Sequence, residues 1–351
     1  METIEEQLFS SCSNGNVEEL NQLLINNLQM NLNCTNNEGK TPFYIACQEG
    51  HTEIVKILLN DQRVDINKTN YISGEGETPF YIACEEGHIE IVKLLLNNER
   101  IDHNKPNKNS QTPFYSACEK GHTEVVKLLL NDEKIDINEE SNKYSRTSLY
   151  IACCGGHTET VKLLLNDDRI DINEEDKYIH TPFYIACRYG RTEIVKLLLN
   201  DERFDINKPN KNGETPFSIA CENRHIEIVE LLLSDNRVDI NKADKYGETP
   251  FSIVCEKGHI EMVQLLLNDK RVDINKTDKN GDAPLYYLCK SGNLEVVEYI
   301  LAIRRDVNVT TKTEDGESML DILKYIQDDW ESLFFQRGHI VKKNIEILLN
   351  F

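Results

Sequence analysis

Residues 215–242 read TPFSIACENRHIEIVELLLSDNRVDINK, and close copies of this segment occupy most of the chain. The threonine of TPF, or a residue that stands in for it, recurs at Thr41, Thr78, Thr112, Thr147, Thr181, Thr215, Thr249, Ala283 and Ser318. Successive members of this series are 34 or 35 residues apart, except for a first interval of 37. A nearly fixed period of this size indicates stacked supersecondary units rather than a globular domain with one core.

Each copy predicts two helices followed by a polar turn. Thr215 can cap the first helix with its hydroxyl, and Pro216 suits the first helical position, where no N–H is needed. A glycine, usually followed by histidine as in Gly50-His51, then ends this inner helix in a left-handed turn. The second, outer helix has too many apolar residues for one buried stripe, so neighbouring units must cover it. The stretch 237–248 is rich in polar residues and predicts a hairpin-like turn that projects from the stack.

The unit resembles the ankyrin repeat, in which Thr-Pro-Leu-His-x-Ala is followed by Gly-His-x-Glu-Ile-Val, Leu-Leu and Asp-Val-Asn. The resemblance covers nearly the whole chain and implies an all-α solenoid of helix–turn–helix units with projecting hairpin loops. It implies an N-terminal capping repeat at 1–36, eight repeats at 37–317 and C-terminal capping helices at 318–351. Three features depart from the family, the first being a longer stretch before Asp205 and its equivalents that modifies the exit from the second helix. Tyrosine or serine replaces the histidine of Thr-Pro-Leu-His, and three extra residues in 69–77 predict an extended loop tip around Tyr71 and Ile72.

The composition argues against several classes of partner. The formal net charge of −21 makes nucleic acid an improbable ligand, because binding to a phosphate backbone requires a basic surface. Anionic membranes are disfavoured for the same reason. The sequence has no recognisable signal peptide, membrane span or lipidation pattern at its ends. We therefore expect a monomeric cytoplasmic protein that binds neither nucleic acid nor membrane.

Nine of the eleven cysteines share one repeat position: Cys12, Cys47, Cys84, Cys118, Cys153, Cys187, Cys221, Cys255 and Cys289. Packed helices lie about 8–10 Å apart, whereas a disulfide requires Cα atoms within about 7 Å. We expect a column of buried, reduced thiols that pack as small hydrophobic groups. Reduced thiols fit a cytosolic or nuclear setting, and the lack of a convincing basic import cluster favours the cytosol.

The cysteines and histidines could instead suggest chemistry, since pairs such as Cys47 and His51 recur four residues apart. Four convergent zinc ligands are not evident, and the resemblance assigns the cysteine to the core and the histidine to the turn. Cys154 has no identifiable base or orienting group for nucleophilic catalysis. The sequence contains no phosphate-binding loop, dinucleotide fingerprint or HExxH segment. We therefore expect no metal, no cofactor and no enzymatic activity.

The resemblance implies binding through the hairpin tips and the ends of the inner helices. At those positions the repeats that begin at Thr147 and Thr181 differ from the others. They carry Tyr144, Arg146, Tyr178, His180, Arg188, Tyr189 and Arg191. Because Tyr and Arg are over-represented among interface anchors, we predict a partner-binding surface there. Neutral drift in exposed loops is the alternative interpretation.

A second candidate surface is acidic. Glu85 and Glu86 end the inner helix of an earlier repeat and could receive a basic partner, although such an acidic run is more often a solvated face. Binding through these carboxylates should weaken with salt more steeply than binding through tyrosine and arginine.

Together these features favour a non-catalytic adaptor or scaffold that binds a protein partner of unknown identity. The alternative is an architectural element that self-associates. The apolar segment around Trp330, Leu333, Phe334 and Phe335 is compatible with both, since it can cap the last repeat or form a contact surface.

Overall fold

A computed structural model describes residues 3–70, 75–139 and 144–290, with scattered residues between 296 and 321. The chain divides into two compact units, Met1–Pro182 and Phe183–Phe351. The predicted loop tip at Tyr71 and Ile72 lies outside the described residues, as do the predicted capping helices at 318–351 apart from Ser318 and Asp321. Within the described ranges, the regular elements are helices, and an isolated antiparallel bridge joins Lys312 to Ser318.

The first unit contains five helix pairs. Their bounds are α1 Ile4–Asn14, α2 Val17–Asn26, α3 Pro42–Gln48, α4 Thr52–Asn60, α5 Pro79–Glu85, α6 Ile89–Leu96, α7 Pro113–Lys120, α8 Thr123–Leu130, α9 Ser148–Gly155 and α10 Thr158–Leu165. The odd-numbered inner helices pack on one another in chain order, and the even-numbered outer helices do the same. Each inner helix also packs on its own outer helix. This arrangement is a two-layer stack of helical hairpins.

The second unit repeats the arrangement. Its helices are α11 Pro182–Arg188, which begins at the last residue of the first unit, α12 Thr192–Leu199, α13 Pro216–Glu222, α14 Ile226–Ser234, α15 Pro250–Glu256, α16 Ile260–Leu267 and α17 Pro284–Lys290. Inner helices α13, α15 and α17 pack in succession, and α12 packs on α14. Both units therefore confirm the predicted all-α repeat solenoid.

The local chemistry of each inner helix is as predicted. Thr41 has extended backbone angles and its hydroxyl accepts a hydrogen bond from the Tyr44 N–H at 3.1 Å, while Pro42 occupies the first helical turn. Such a cap contributes about 1 kcal/mol to helix stability. The residues that follow, 43–47, are all buried, and they face the buried Ile54 and Leu58 side of the outer helix layer. The hydrophobic core therefore lies between the two layers.

The glycine at the end of the inner helix has a second role that the sequence did not reveal. Gly87 has a φ of 75°, the left-handed conformation that was predicted. The imidazole of His122, in the next repeat, lies against it, and a Cβ at Gly87 would be 2.7 Å from Nδ1 of that ring. Nε2 of His122 donates to the Glu85 carbonyl oxygen at 2.7 Å. The same contact joins Gly15 to His51, Gly50 to His88, Gly121 to His157 and Gly190 to His225.

Candidate functional site

Several of the described hairpin tips are each shaped by one Asn or Asp side chain. In the first unit, Oδ1 of Asp176 accepts hydrogen bonds from the backbone N–H groups of Tyr178 at 2.8 Å and His180 at 2.9 Å. The same two-bond turn occurs at Asn36, Asn107, Asn210, Asp244 and Asp278. A side chain that satisfies two backbone donors holds the tip in one conformation.

Buried tyrosines connect the inner helices to these tips. The Tyr44 hydroxyl donates to Glu77 at 2.8 Å and accepts from Asn70 Nδ2 at 3.0 Å. Equivalent contacts link Tyr81 to Asn107, Tyr150 to Asp176 and Tyr184 to Asn210. The tyrosines at the repeat position of the family histidine are therefore structural in these repeats.

Two repeats of the second unit lack this tyrosine. Ser218 stands in its place and is buried, and its hydroxyl donates back to the Thr215 carbonyl oxygen at 2.9 Å. Glu248 occupies the repeat position of Glu214, a carboxylate that accepts from Tyr184 at 3.3 Å. Burial, together with the charges of Glu256, Asp244, Asp278 and Glu222, raises the pKa of Glu248 to about 7. The structure thus places a poorly solvated carboxyl group where a tyrosine hydroxyl is absent.

Neighbouring tips of the first unit are joined through their backbones, which brings two predicted tyrosines together. The Lys177 N–H donates to the Tyr144 carbonyl oxygen at 2.9 Å. The rings of Tyr144 and Tyr178 have centroids 6.4 Å apart and planes tilted by 31°. This separation is within the range of favourable aromatic pairs.

Two cations lie over these rings. Cζ of Arg146 is 4.9 Å from the centroid of Tyr144 and 5.4 Å from that of Tyr150. Nζ of Lys177 is 4.2 Å from the Tyr144 centroid and 4.9 Å from that of Tyr178. Both cations are within the distance at which the ring quadrupole attracts positive charge. Lys177 was not among the predicted site residues, because most repeats carry a lysine at this position and it therefore does not stand out.

His180 belongs to the same cluster but is less exposed. Its Nδ1 lies 3.0 Å from Oδ2 of the buried Asp176, and its ring centroid is 5.7 Å from that of Tyr178. The side chain is only 12% exposed, whereas Tyr178 is 43% exposed. His180 therefore supports the tip from within. We call Tyr144, Arg146, Lys177, Tyr178 and His180 the tip cluster.

The other three predicted residues lie in the second unit. Arg188 is the last residue of α11, and its carbonyl oxygen accepts a hydrogen bond from Nε2 of His225 at 3.0 Å. Tyr189 is 48% exposed, and Arg191 is the residue that precedes α12. A single surface that includes these residues and the tip cluster stays a prediction.

The two predicted acidic residues, Glu85 and Glu86, differ in how exposed they are. Glu85 is half-buried and lies 3.1 Å from Nζ of Lys120, at the end of the next inner helix. Burial raises the pKa of Glu85, and the Lys120 ammonium opposes that effect. Glu86 is exposed. The second unit has the same cross-repeat pair, with Glu222 and Lys257 3.0 Å apart. Glu85 is therefore already paired with a lysine of its own chain.

The cysteine column is buried as predicted. All nine cysteines at the shared repeat position are inaccessible thiols, as is Cys34, whereas Cys154 is partly exposed. Burial raises the pKa of Cys12 and of Cys289 to about 12, so these thiols stay protonated at neutral pH. A protonated thiol is a poor nucleophile. The role of these buried cysteines is to pack in the hydrophobic core.

No set of three or more His, Cys, Asp or Glu side chains in the described part of the chain is arranged to hold a metal ion. None of the described helices has the length and apolar character that a membrane span requires.

Comparison with protein families agrees with the geometry of the stack. The family model described as ankyrin repeats (3 copies) matches residues 8–107, 99–176, 169–244 and 236–312. The chain belongs to the ankyrin-repeat family. Ankyrin repeats are generally protein–protein interaction modules and are typically non-catalytic. A search of curated proteins finds no match to this ankyrin-repeat chain.

Proposed function

We propose that this ankyrin-repeat protein is a non-catalytic adaptor or scaffold whose partner binds at the hairpin tips and inner-helix ends, centred on the tip cluster. The observation that carries the proposal is the pairing of Tyr144 with Tyr178 on adjacent tips, with Arg146 and Lys177 both over the Tyr144 ring. Tyrosine and arginine are the residue types on which interface energy concentrates.

The cluster is also held in place before any partner arrives. The Asp176 turn holds its own tip, and the hydrogen bond from the Lys177 N–H ties the backbone of Tyr144 to that tip. A side chain that is already ordered loses less conformational entropy on binding, since about 0.5–1.5 kcal/mol per immobilised side chain is avoided. In the first unit, exposed Glu86 is also proposed to contact a partner, and in the second unit the proposal names Arg188, Tyr189 and Arg191, at the end of α11 and in the turn that follows it. Glu85 contributes less in this proposal, because Lys120 is its partner.

The test is affinity capture from native lysate with the full chain, followed by mass spectrometry. Wild type is compared with Tyr144→Ala/Tyr178→Ala and with Tyr246→Ala, a matched control because Tyr246 occupies the same tip position and is 57% exposed. The proposal is supported if wild type and Tyr246→Ala capture a partner that the Tyr144→Ala/Tyr178→Ala variant does not capture. Equal capture by all three proteins would contradict the location at the tip cluster. Circular dichroism spectra that match wild type exclude unfolding as the cause.

A second candidate, self-association as an architectural element, is favoured by one feature of the first repeats. Ile25 and Leu28 are 72% and 70% exposed, and both line a groove together with Ile4 and Met30. Adjacent exposed apolar side chains mark contact surfaces. Sedimentation velocity over a hundredfold range of concentration distinguishes the two candidates. A constant monomer mass supports the adaptor, and a mass that rises in wild type but not in Ile25→Ser/Leu28→Ser supports self-association.

We also propose that the protein works in the cytoplasm as a monomer. The eleven thiols support this location, since a reducing compartment keeps cysteines in that state. Cell fractionation with an antibody against the chain tests it, and recovery in a secreted or membrane fraction would contradict it.

A further inference from the structure

We infer that Asn212 is a site of spontaneous deamidation, which converts its side-chain amide to a carboxylate and changes the shape of its hairpin tip. This inference goes beyond the proposed function and does not depend on it. The reaction is favoured where asparagine precedes glycine, because no Cβ shields the backbone nitrogen that attacks. The chain has three such pairs, which begin at Asn14, Asn212 and Asn280.

The reaction at Asn212 needs only the chain and water. The backbone nitrogen of Gly213 gives its proton to solvent and forms a C–N bond to Cγ of Asn212. This closes a succinimide ring and releases the side-chain nitrogen as ammonia. Water then adds to one of the two ring carbonyls and opens the ring. Opening at one carbonyl gives aspartate, and opening at the other gives isoaspartate, in which the backbone runs through the former side chain.

A cation lies at the side-chain carbonyl of Asn212. Nζ of Lys245, on the next hairpin tip, donates to Oδ1 of Asn212 at 2.7 Å. Attack by Gly213 places negative charge on that oxygen, and a donor already aimed at it stabilises the charge as it develops. The backbone N–H of Lys245 also donates to the Asn212 carbonyl oxygen, at 2.8 Å, which keeps the lysine beside this asparagine. Lys245 should therefore accelerate deamidation of Asn212.

Asn280 provides an internal comparison, because it lies on an equivalent tip. Asn212 and Asn280 are both exposed. In each tip the glycine N–H donates to the carbonyl oxygen three residues earlier, at 2.9 Å for Gly213 and 3.2 Å for Gly281. This hydrogen bond must open before the nitrogen can attack, so it slows the two reactions alike. Exposure and turn geometry therefore do not distinguish the two asparagines.

The charges around Asn280 differ from those around Asn212. Nδ2 of Asn280 lies 3.5 Å from Oδ2 of Asp278, a carboxylate, whereas the uncharged Asn210 holds the equivalent position in the other tip. The repeat position that Lys245 occupies relative to Asn212 carries Glu314 relative to Asn280. Negative charge opposes the oxyanion that forms during the attack. Asn280 should therefore react more slowly than Asn212.

The isoaspartate product would alter the tip, because the tip is tied to an inner helix. Oδ1 of Asn210 accepts from the Glu214 N–H at 3.1 Å, and the Glu214 carboxylate accepts from the Tyr184 hydroxyl at 3.3 Å. An isoaspartate at position 212 lengthens the backbone inside this turn by one carbon atom. The hydrogen bonds across the turn then no longer fit, and the tip also gains a negative charge.

The experiment follows deamidation of the full chain at pH 8 and 37 °C by peptide mass spectrometry over several weeks. The three proteins are wild type, Lys245→Gln and Lys279→Gln. Lys279 is the matched control, because it holds the equivalent position on the next tip and its N–H donates to Tyr246 rather than to an asparagine. Both lysines are exposed, so neither substitution should disturb the fold, and circular dichroism checks this.

The expected result is a difference in rate that depends on Lys245. In wild type and Lys279→Gln, Asn212 should deamidate at least threefold faster than Asn280. In Lys245→Gln, the two rates should come within twofold of each other. They should also converge in wild type unfolded in urea, where the contact between Lys245 and Asn212 is lost.

Three results would overturn the inference. Asn212 could stay intact while Asn280 reacts, or both could react at the same rate in the native protein. The excess rate at Asn212 could survive Lys245→Gln, which would remove the role of the lysine. It could also persist in urea, in which case the flanking sequence and not the fold would set the rate.

Discussion

The imidazole of His88 lies against Gly50 of the preceding repeat, so that a Cβ at Gly50 would be 2.7 Å from Cε1 of the ring. Nε2 of the same ring donates to the Gln48 carbonyl oxygen at 2.8 Å. The Gly-His dipeptide therefore acts across two repeats, with the glycine of one repeat receiving the histidine of the next. The requirement for glycine is both conformational and steric.

Substitution of this glycine should destabilise the stack. Gly50 has a φ of 78°, a conformation that costs an alanine about 1–2 kcal/mol, and the displaced His88 ring adds to that loss. We expect Gly50→Ala to lower the free energy of unfolding by about 2–3 kcal/mol in urea titrations. In a His88→Ala background, Gly50→Ala should lower the free energy of unfolding only by the cost of the left-handed backbone. The difference between the two backgrounds, about 1 kcal/mol, is the coupling energy of the contact. Strict additivity of the two changes would contradict the contact.

Arg224 offers the reverse test, because it replaces the glycine of this turn and has a φ of 63°. Arg224→Gly should raise the free energy of unfolding by about 1 kcal/mol, since relief of the left-handed strain exceeds the added entropy of the unfolded chain. Arg224→Ala keeps the Cβ and serves as the control, with no gain expected. Burial lowers the pKa of His259, and the charges of Arg224 and Lys257 lower it further. NMR titration should therefore show a higher His259 pKa in both variants.

The sequence predicted features that depend on one repeat alone. Thr caps, prolines at the first helical turn, left-handed glycines and buried cysteines are set by local chemistry, and the structure has them. The sequence did not predict contacts between residues about 35 positions apart. Three such contacts depend on the offset between stacked repeats: His88 with Gly50, Glu85 with Lys120, and Lys177 with Tyr144. A repeat period indicates which residues occupy equivalent positions, but it does not indicate which residues of neighbouring repeats are in contact.

Removal of one tyrosine hydroxyl should measure how strongly an inner helix holds the next loop. Tyr44→Phe removes a donor to the Glu77 carboxylate and an acceptor of the Asn70 amide, two groups that stay hydrogen-bonded to each other at 2.9 Å. We expect a loss of about 1 kcal/mol in the free energy of unfolding, the usual net contribution of a hydrogen bond. Tyr246→Phe, on an exposed tip, is the control and should change stability by less than 0.5 kcal/mol. A null result at Tyr44 would mean that water replaces the hydroxyl.

Glu248 should make stability depend on pH near neutrality. Its folded-state pKa of about 7 exceeds its ordinary value of 4.5, so the folded state binds this proton more tightly than the unfolded chain does. Stability from this group is present below about pH 4.5 and is lost as the pH rises through about 7. Solvent screening at this half-exposed carboxyl limits the effect to about 1 kcal/mol. Glu248→Gln should therefore stabilise the protein at pH 8 and be neutral at pH 4.5, in urea titrations at both values. Equal effects at both pH values would contradict the shifted pKa.

Thiol reactivity should separate Cys154 from the other ten cysteines, all of which are buried. With a chromogenic disulfide reagent, native protein should release one equivalent of product quickly. The remaining ten thiols should react on the order of 100-fold more slowly, because their exposure requires local opening that costs about 3 kcal/mol. Cys154→Ser should remove the fast phase and leave the slow phase unchanged. Fast reaction of several thiols in that variant would mean that whole repeats open readily, which a stack held together by buried Tyr, Phe and Cys side chains should resist.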